Sequence, residues 1–221
     1  MENGIMALGN TTETYGSAAR GVHWLTVALI VAAFGLAWTM TDMANSPDKF
    51  RLYGLHKSIG ATVLAFGLFR IVWTVVQPSP RVLGNPPRWQ EISAKAVHGL
   101  LLLWLVAMPL SGWVMSSAGG HPVSVFGLFT LPGLVGPDRA FAGTVREVHE
   151  TLASLGLILI AAHVGAALWH HAVVKDGTLR RMLPAFAGGC DCTEAACADE
   201  DCGCEGKGKG PKPGGCGCGK H

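Results

Sequence analysis

Apolar residues gather in four long runs, at approximately 21–41, 55–77, 97–116 and 147–174, each separated from the next by a stretch richer in charge, proline or glycine. A bilayer core about 30 Å thick asks for roughly 20 predominantly apolar residues in helical form, and every run meets that length. Inside lipid the backbone must satisfy its own hydrogen bonds, which a helix does within a single segment. The pattern predicts an all-α protein, a four-helix transmembrane bundle over residues 1–184, followed by a segment of different character at 185–221.

The breaks between the runs differ from one another. The second, from Gln77 to about Lys95, contains Pro78, Pro80, Pro86 and Pro87, whose missing N–H groups end both flanking helical patterns. The third, Ala118 to Thr144, carries HPVSVFGLFTLPGLVGP, which is apolar but too short and too rich in Gly and Pro to span. It is expected to lie in the interface over the helix ends, roofing a cofactor or capping the bundle. The leader before the first run lacks the basic start and small-residue cleavage site of a signal peptide, so that run reads as a retained helix. With four spans both termini share one side. Arg20, Arg81, Arg88, Lys95, Lys175, Arg180 and Arg181 flank the spans there, against Lys49, Arg51, Lys57, Arg139 and Arg146 opposite. The excess of basic residues puts both termini in the cytoplasm.

Composition agrees with this solvent. Of 221 residues 49% are hydrophobic and 14% charged, with mean hydropathy +0.35, whereas a soluble domain carries roughly 25% charge. The net charge of +2 is small and its basic residues sit at span ends, which leaves no electrostatic footprint for nucleic acid. The expected partners are the lipid bilayer and what it dissolves.

Eight of the nine histidines precede residue 185, at 23, 56, 98, 121, 149, 163, 170 and 171. Ionisable residues in membrane spans are costly and functional by default. Because chain direction alternates, His23, His98 and His163 approach the cytoplasmic side, and His56 and His149 the opposite side. His149 and His163 are fourteen residues apart, which on a helix means nearly one face and roughly 21 Å of rise, the separation of two haems stacked across a bilayer. Haem iron accepts two axial imidazoles, which facing helices of a bundle can supply. His56 then pairs with His149, while His163 pairs with His23 or His98, between which spacing does not choose. His170 continues the same stripe seven residues beyond His163.

Gly156, between the two ligand levels, and Gly60, one turn after His56, either make room for porphyrin edges or let helices approach closely. Arg70, on roughly the same face as His56, would meet a haem propionate at the inner level or snorkel to the interface. No C-x-x-C-H occurs, so any haem is held by ligation and packing and is b-type.

The segments RGVHWL (20–25), LHKSIG (55–60), KAVHGLLLLWLVAMPLSGWVMS (95–116) and VHETLASLGLILIAAHVGAALWHH (148–171) resemble the bacterial cytochrome b561 family, over approximately residues 15–184. The resemblance implies a four-helix protein of the bacterial inner membrane with two haems b, exchanging electrons with ubiquinone or menaquinone. It also implies kinship with the cytochrome b subunits of formate dehydrogenases and hydrogenases. In those relatives the first, second and fourth helices supply the ligands, which carries over as His23 with His163 and His56 with His149. His98 is left as a quinone-site or propionate neighbour, and His170 and His171 as interfacial residues. Two functions follow from the resemblance. One is a self-contained quinone-linked oxidoreductase, with superoxide among the donors linked to the family. The other is a redox anchor for a periplasmic dehydrogenase or soluble cytochrome, with a homodimer as a further assembly to expect.

After Leu183 the composition changes, and all seven cysteines fall in the last 32 residues. Cys190 and Cys192 form one C-x-C pair, Cys202 and Cys204 a second, and Cys216 and Cys218 a third, with Cys197 between the first two pairs. Thiolates so spaced can chelate a soft or borderline metal ion such as Cu(I) or zinc, or an iron–sulfur cluster, in a reducing cytoplasm. They do not form a C-x-x-C zinc framework, and the tail reads as a disordered, low-complexity extension outside the resemblance. A metal-handling membrane protein acting through this tail is the third function.

Overall fold

In the computed structural model, which describes residues 8–84 and 86–183, four long helices dominate: α1 (Ser17–Asp42), α2 (Pro47–Val76), α3 (Arg88–Ala118) and α4 (Arg139–Trp169). A five-residue π-helical turn, His170–Val174, extends α4. Each helix contains a window of mean hydropathy between 1.7 and 2.0 and is long and apolar enough to cross a membrane. The metal site expected of the tail, with Cys190, Cys192, Cys202, Cys204, Cys216 and Cys218 as its ligands, lies outside the described residues, as does Cys197. Among the described residues no cluster of three or more His, Cys, Asp and Glu could hold a metal ion by itself.

Every helix begins before its apolar run, and at α2 and α4 the polar first turn is held by a side-chain cap that hydropathy does not register. At α2, Ser46 Oγ accepts from Lys49 N at 3.2 Å and Pro47 occupies the first helical position. At α4, Asp138 Oδ1 accepts from Phe141 N at 3.0 Å. Pro87 stands at the N-cap of α3, so the second break, expected to run to about Lys95, ends sooner, as a proline that blocks a helix interior is tolerated at a helix start.

The helices pack in succession, α1 on α2, α2 on α3 and α3 on α4. Ile59 and Val63 of α2 meet Trp104 and Leu105 of α3 in a buried cluster. Leu25, Val31, Leu68, Val72, Leu103 and Ile158 are exposed, forming the apolar exterior that lipid requires. Trp104 crosses the centre. Its ring stacks on Phe34 of α1 with centroids 6.5 Å apart and planes 4° from parallel, and its Nε1–H donates to Leu152 O of α4 at 2.7 Å. A side chain at Gly156 would collide with the indole. The room at Gly156, for which a porphyrin edge was one expected occupant, therefore belongs to Trp104, and the glycine serves close packing.

The third break is more ordered than an interfacial coil. Strands β1 (Val123–Val125) and β2 (Phe129–Leu131) pair antiparallel, Val123 opposite Leu131 and Val125 opposite Phe129. Phe126 and Gly127 turn the chain with φ of 48° and 74°, a conformation that hairpin turns use. Buried Ser58 of α2 anchors the turn: its hydroxyl accepts from Phe126 N at 3.0 Å and lies 3.0 Å from Ser124 O. Ser58→Ala would strand the Phe126 amide, at about 1–3 kcal/mol. We expect amide exchange at Phe126 to speed at least about tenfold in that variant while α4 keeps its protection, measured by hydrogen–deuterium exchange in detergent. Unchanged exchange at Phe126 would show that the hairpin is held elsewhere.

Candidate functional site

The bundle brings the span histidines together at two depths. At one depth, called the outer level below, His56 of α2 faces His149 of α4, ring centroids 6.4 Å apart and planes at 76°. At the inner level every helix contributes one residue: His23 of α1, Arg70 of α2, His98 of α3 and His163 of α4. His23 and His163 have centroids 6.3 Å apart with planes at 63°. His98 and His163 are 5.2 Å apart with planes at 71°.

These separations can be compared with a metal-sharing pair. An imidazole nitrogen sits about 2 Å from the metal it ligates and its ring centroid about 1.2 Å further back, so two in-line imidazoles hold their centroids roughly 6.4 Å apart. His56 with His149 and His23 with His163 have that spacing. His98 lies closer to His163 than His23 does, 5.2 Å against 6.3 Å, too close for an iron in line between them. His98 is also exposed, whereas the other four imidazoles are half-buried.

Hydrogen bonds orient the rings. His56 Nδ1 lies 3.1 Å from Ala33 O. A carbonyl only accepts, so Nδ1 carries the proton and Nε2 keeps its lone pair, the arrangement usual for a metal-ligating histidine. His149 Nδ1 lies 2.8 Å from Ser111 Oγ. Arg70 Nη1 lies 3.3 Å from His23 Nδ1, and since a guanidinium only donates, this nitrogen accepts. Arg70 thus turns into the bundle toward His23 rather than snorkelling to the interface. A carboxylate arriving at this level would offer it a better acceptor and release His23 Nδ1.

A cavity of about 360 Å³ opens beside the outer pair, lined by His56, His149, Gly60, Tyr53, Lys57 and Arg146. A Cβ at Gly60 would meet nothing within 4 Å, so the glycine forms open wall. A Cβ at Gly112 would sit 3.1 Å from His149 Cε1, so that glycine makes space for the imidazole. Lys57 and Arg146 give the cavity cationic groups suited to carboxylates. In the sequence both read only as orientation charges, although Lys57 adjoins His56 and Arg146 stands three residues before His149, on one helical face with it. The donor set, the spacing and the cavity fit a flat, dianionic macrocycle with two axial positions.

His170, on the stripe below His163, is occupied differently. It sits in the π-helical turn with Nδ1 2.6 Å from Asp176 Oδ2. Burial pushes the Asp176 carboxyl up, but hydrogen bonds from Thr178 and His170 outweigh it and hold the group below its usual range. His170 thereby ties the end of α4 to the following loop.

Four apolar helices presenting imidazoles in facing pairs define a membrane-embedded b-type cytochrome, a protein of electron transfer. The chain belongs to the prokaryotic cytochrome b561 family, whose profile matches residues 14–185. It is 35% identical over 179 residues to cytochrome b561 homolog 2 of Escherichia coli strain K12, covering 80% of this chain and 95% of that protein. Homolog 1 of the same organism is 32% identical over 166 residues, covering 74% and 93%. A probable superoxide oxidase, CybB of Yersinia pestis, is 28% identical over 177 residues, covering 79% and 98%. The chain is accordingly a bacterial multi-pass membrane protein that binds b-type haem.

Proposed function

We propose that the chain holds two haems b, one between His56 and His149 and one between His23 and His163, and carries electrons between the outer face of the membrane and the quinone pool. The observation that supports this reading most is the spacing of the two pairs, 6.4 and 6.3 Å between centroids. A haem held by two imidazoles has no open position for substrate and supplies one-electron chemistry. The chain's residues do the rest. His56 and His149 fix the outer site, with Lys57 and Arg146 positioned for its carboxylates. At the inner level Arg70 takes a carboxylate and leaves His23 free to face His163. Trp104, packed between the levels, keeps the middle of the bundle dry.

His98 stands beside the inner pair, not across an iron, where it can donate a hydrogen bond to a quinone carbonyl or deliver a proton as the carbonyl is reduced. The name of the Yersinia relative suggests superoxide as donor. Two superoxide anions would give up one electron each and leave as dioxygen, while one quinone gains two electrons and two protons to become a quinol. In this reading the protein lies in the inner membrane with both termini cytoplasmic and the outer pair toward the periplasm.

The test uses purified protein in lipid nanodiscs, reduced with dithionite and freed of excess reductant under anaerobic conditions. Ubiquinone or menaquinone analogues should reoxidise the haem absorbance. His98→Ala should keep the haem spectrum while slowing reoxidation of the haem by quinone about 100-fold, as expected for loss of a proton-transfer group. Reduced haem indifferent to both quinones would overturn the quinone assignment.

A further inference from the structure

We infer that Ser111 of α3 is a positioning residue for His149, selecting its ligating tautomer and setting the reduction potential of the outer haem. The inference rests on the reading of His56 and His149 as a haem pair. It gives α3, which supplies no ligand in that reading, a part in the outer site.

Ser111 Oγ lies 2.7 Å from Met108 O and 2.8 Å from His149 Nδ1. Two oxygens at the first distance repel unless a proton lies between them, and a carbonyl has none to give. The serine hydroxyl therefore donates to Met108 O, and its remaining lone pair accepts from His149. That bond requires a proton on Nδ1, which leaves the Nε2 lone pair free for a metal.

The serine is also set apart from other hydroxyls in the spans. Thr26, Thr39, Thr41, Thr62, Thr74, Ser117 and Thr151 each donate to the carbonyl four residues back. Ser111 uses the carbonyl three residues back, in the rotamer that presents Oγ to the neighbouring helix. Gly112 beside it supplies clearance, since a Cβ there would press on His149 Cε1 at 3.1 Å. Residues 111 and 112 thus form a seat for one imidazole.

The two ligands of the outer pair are supported unequally. His56 donates to a backbone carbonyl, Ala33 O, which no side-chain substitution removes. His149 has the Ser111 hydroxyl as its side-chain partner, with the Met108 carbonyl as a backbone acceptor beside it. A hydrogen bond from Nδ1–H raises the basicity of the ligating nitrogen and favours ferric iron, and second-sphere partners of this kind change metal affinity by about 10–100-fold. Ser111→Ala should weaken ferric over ferrous binding by about tenfold, an upward shift of about 59 mV in the outer haem's midpoint.

The experiment is a potentiometric titration of full-length protein in detergent, with electron paramagnetic resonance of the ferric haems, on wild type, Ser111→Ala, Ser111→Thr and His149→Ala. One midpoint and one ferric signal should move in Ser111→Ala, or one haem should be lost, with the other haem unchanged. Threonine, which keeps the hydroxyl, should return both readouts toward wild type. Unchanged midpoints and signals in Ser111→Ala, loss of both haems, or failure of threonine to rescue would overturn the role of Ser111. The pair itself fails separately, if His149→Ala keeps every haem of the wild type.

Discussion

His163→Ala should halve the haem content of the purified protein, removing the inner haem and leaving the outer haem's spectrum and midpoint as in wild type. The inner level offers three imidazoles, and His163 is the one that lies beside both of the others. The two remaining histidines should then behave differently. His23→Ala is expected to lose the same haem, because His23 and His163 are spaced to share an iron while His98 and His163 are too close to do so. His98→Ala should retain both haems. Arg70 adds a second difference: it donates to His23 Nδ1, so Arg70→Leu should weaken retention of the inner haem by removing the partner of its carboxylate. Retention of two haems in His23→Ala together with loss of one in His98→Ala would transfer the ligand role to α3.

Gly156→Val should unfold the bundle more readily than any ligand substitution. Trp104 occupies the space where the valine side chain would stand, and it is held on two further sides by the stack on Phe34 and the bond to Leu152 O. Accommodating the new side chain means moving the indole or separating α3 from α4. Overpacking and the lost indole bond together come to about 3–5 kcal/mol. Thermal denaturation in detergent should show a lowered transition with haem released from both levels, since Trp104 lies between them. Gly165→Ala, where a Cβ meets nothing within 4 Å, should leave the transition within a few degrees of wild type. A Gly156→Val protein as stable as wild type would mean that Trp104 is not fixed in the bundle centre.

Much of the architecture was legible because lipid imposes a simple rule: four apolar runs of sufficient length can be satisfied only as helices. Helix ends were less legible, since Ser46, Pro87 and Asp138 act through local hydrogen bonds and fixed φ, outside any hydropathy window. The β1–β2 hairpin was hidden for a related reason. Its turn places Phe126, a residue with no preference for positive φ, in that conformation because Ser58, 68 residues away, holds its amide.

At the site, a fourteen-residue interval on one helix exposed His149 and His163, because helical geometry turns spacing directly into depth and face. Spacing could not separate His23 from His98, which enter the bundle at one depth on different helices, and ring separations exist only in three dimensions. Gly156 carried two meanings until its neighbour Trp104 was known. Ser111 gave no signal at all, as a serine in a membrane span ordinarily bonds to its own helix, and only the proximity of His149 distinguishes it.

The most direct measurement is pyridine haemochrome quantification of the purified wild-type protein against its amino-acid concentration. The account predicts two b-type haems per chain. A value of one or none in well-folded, fully loaded protein would contradict it.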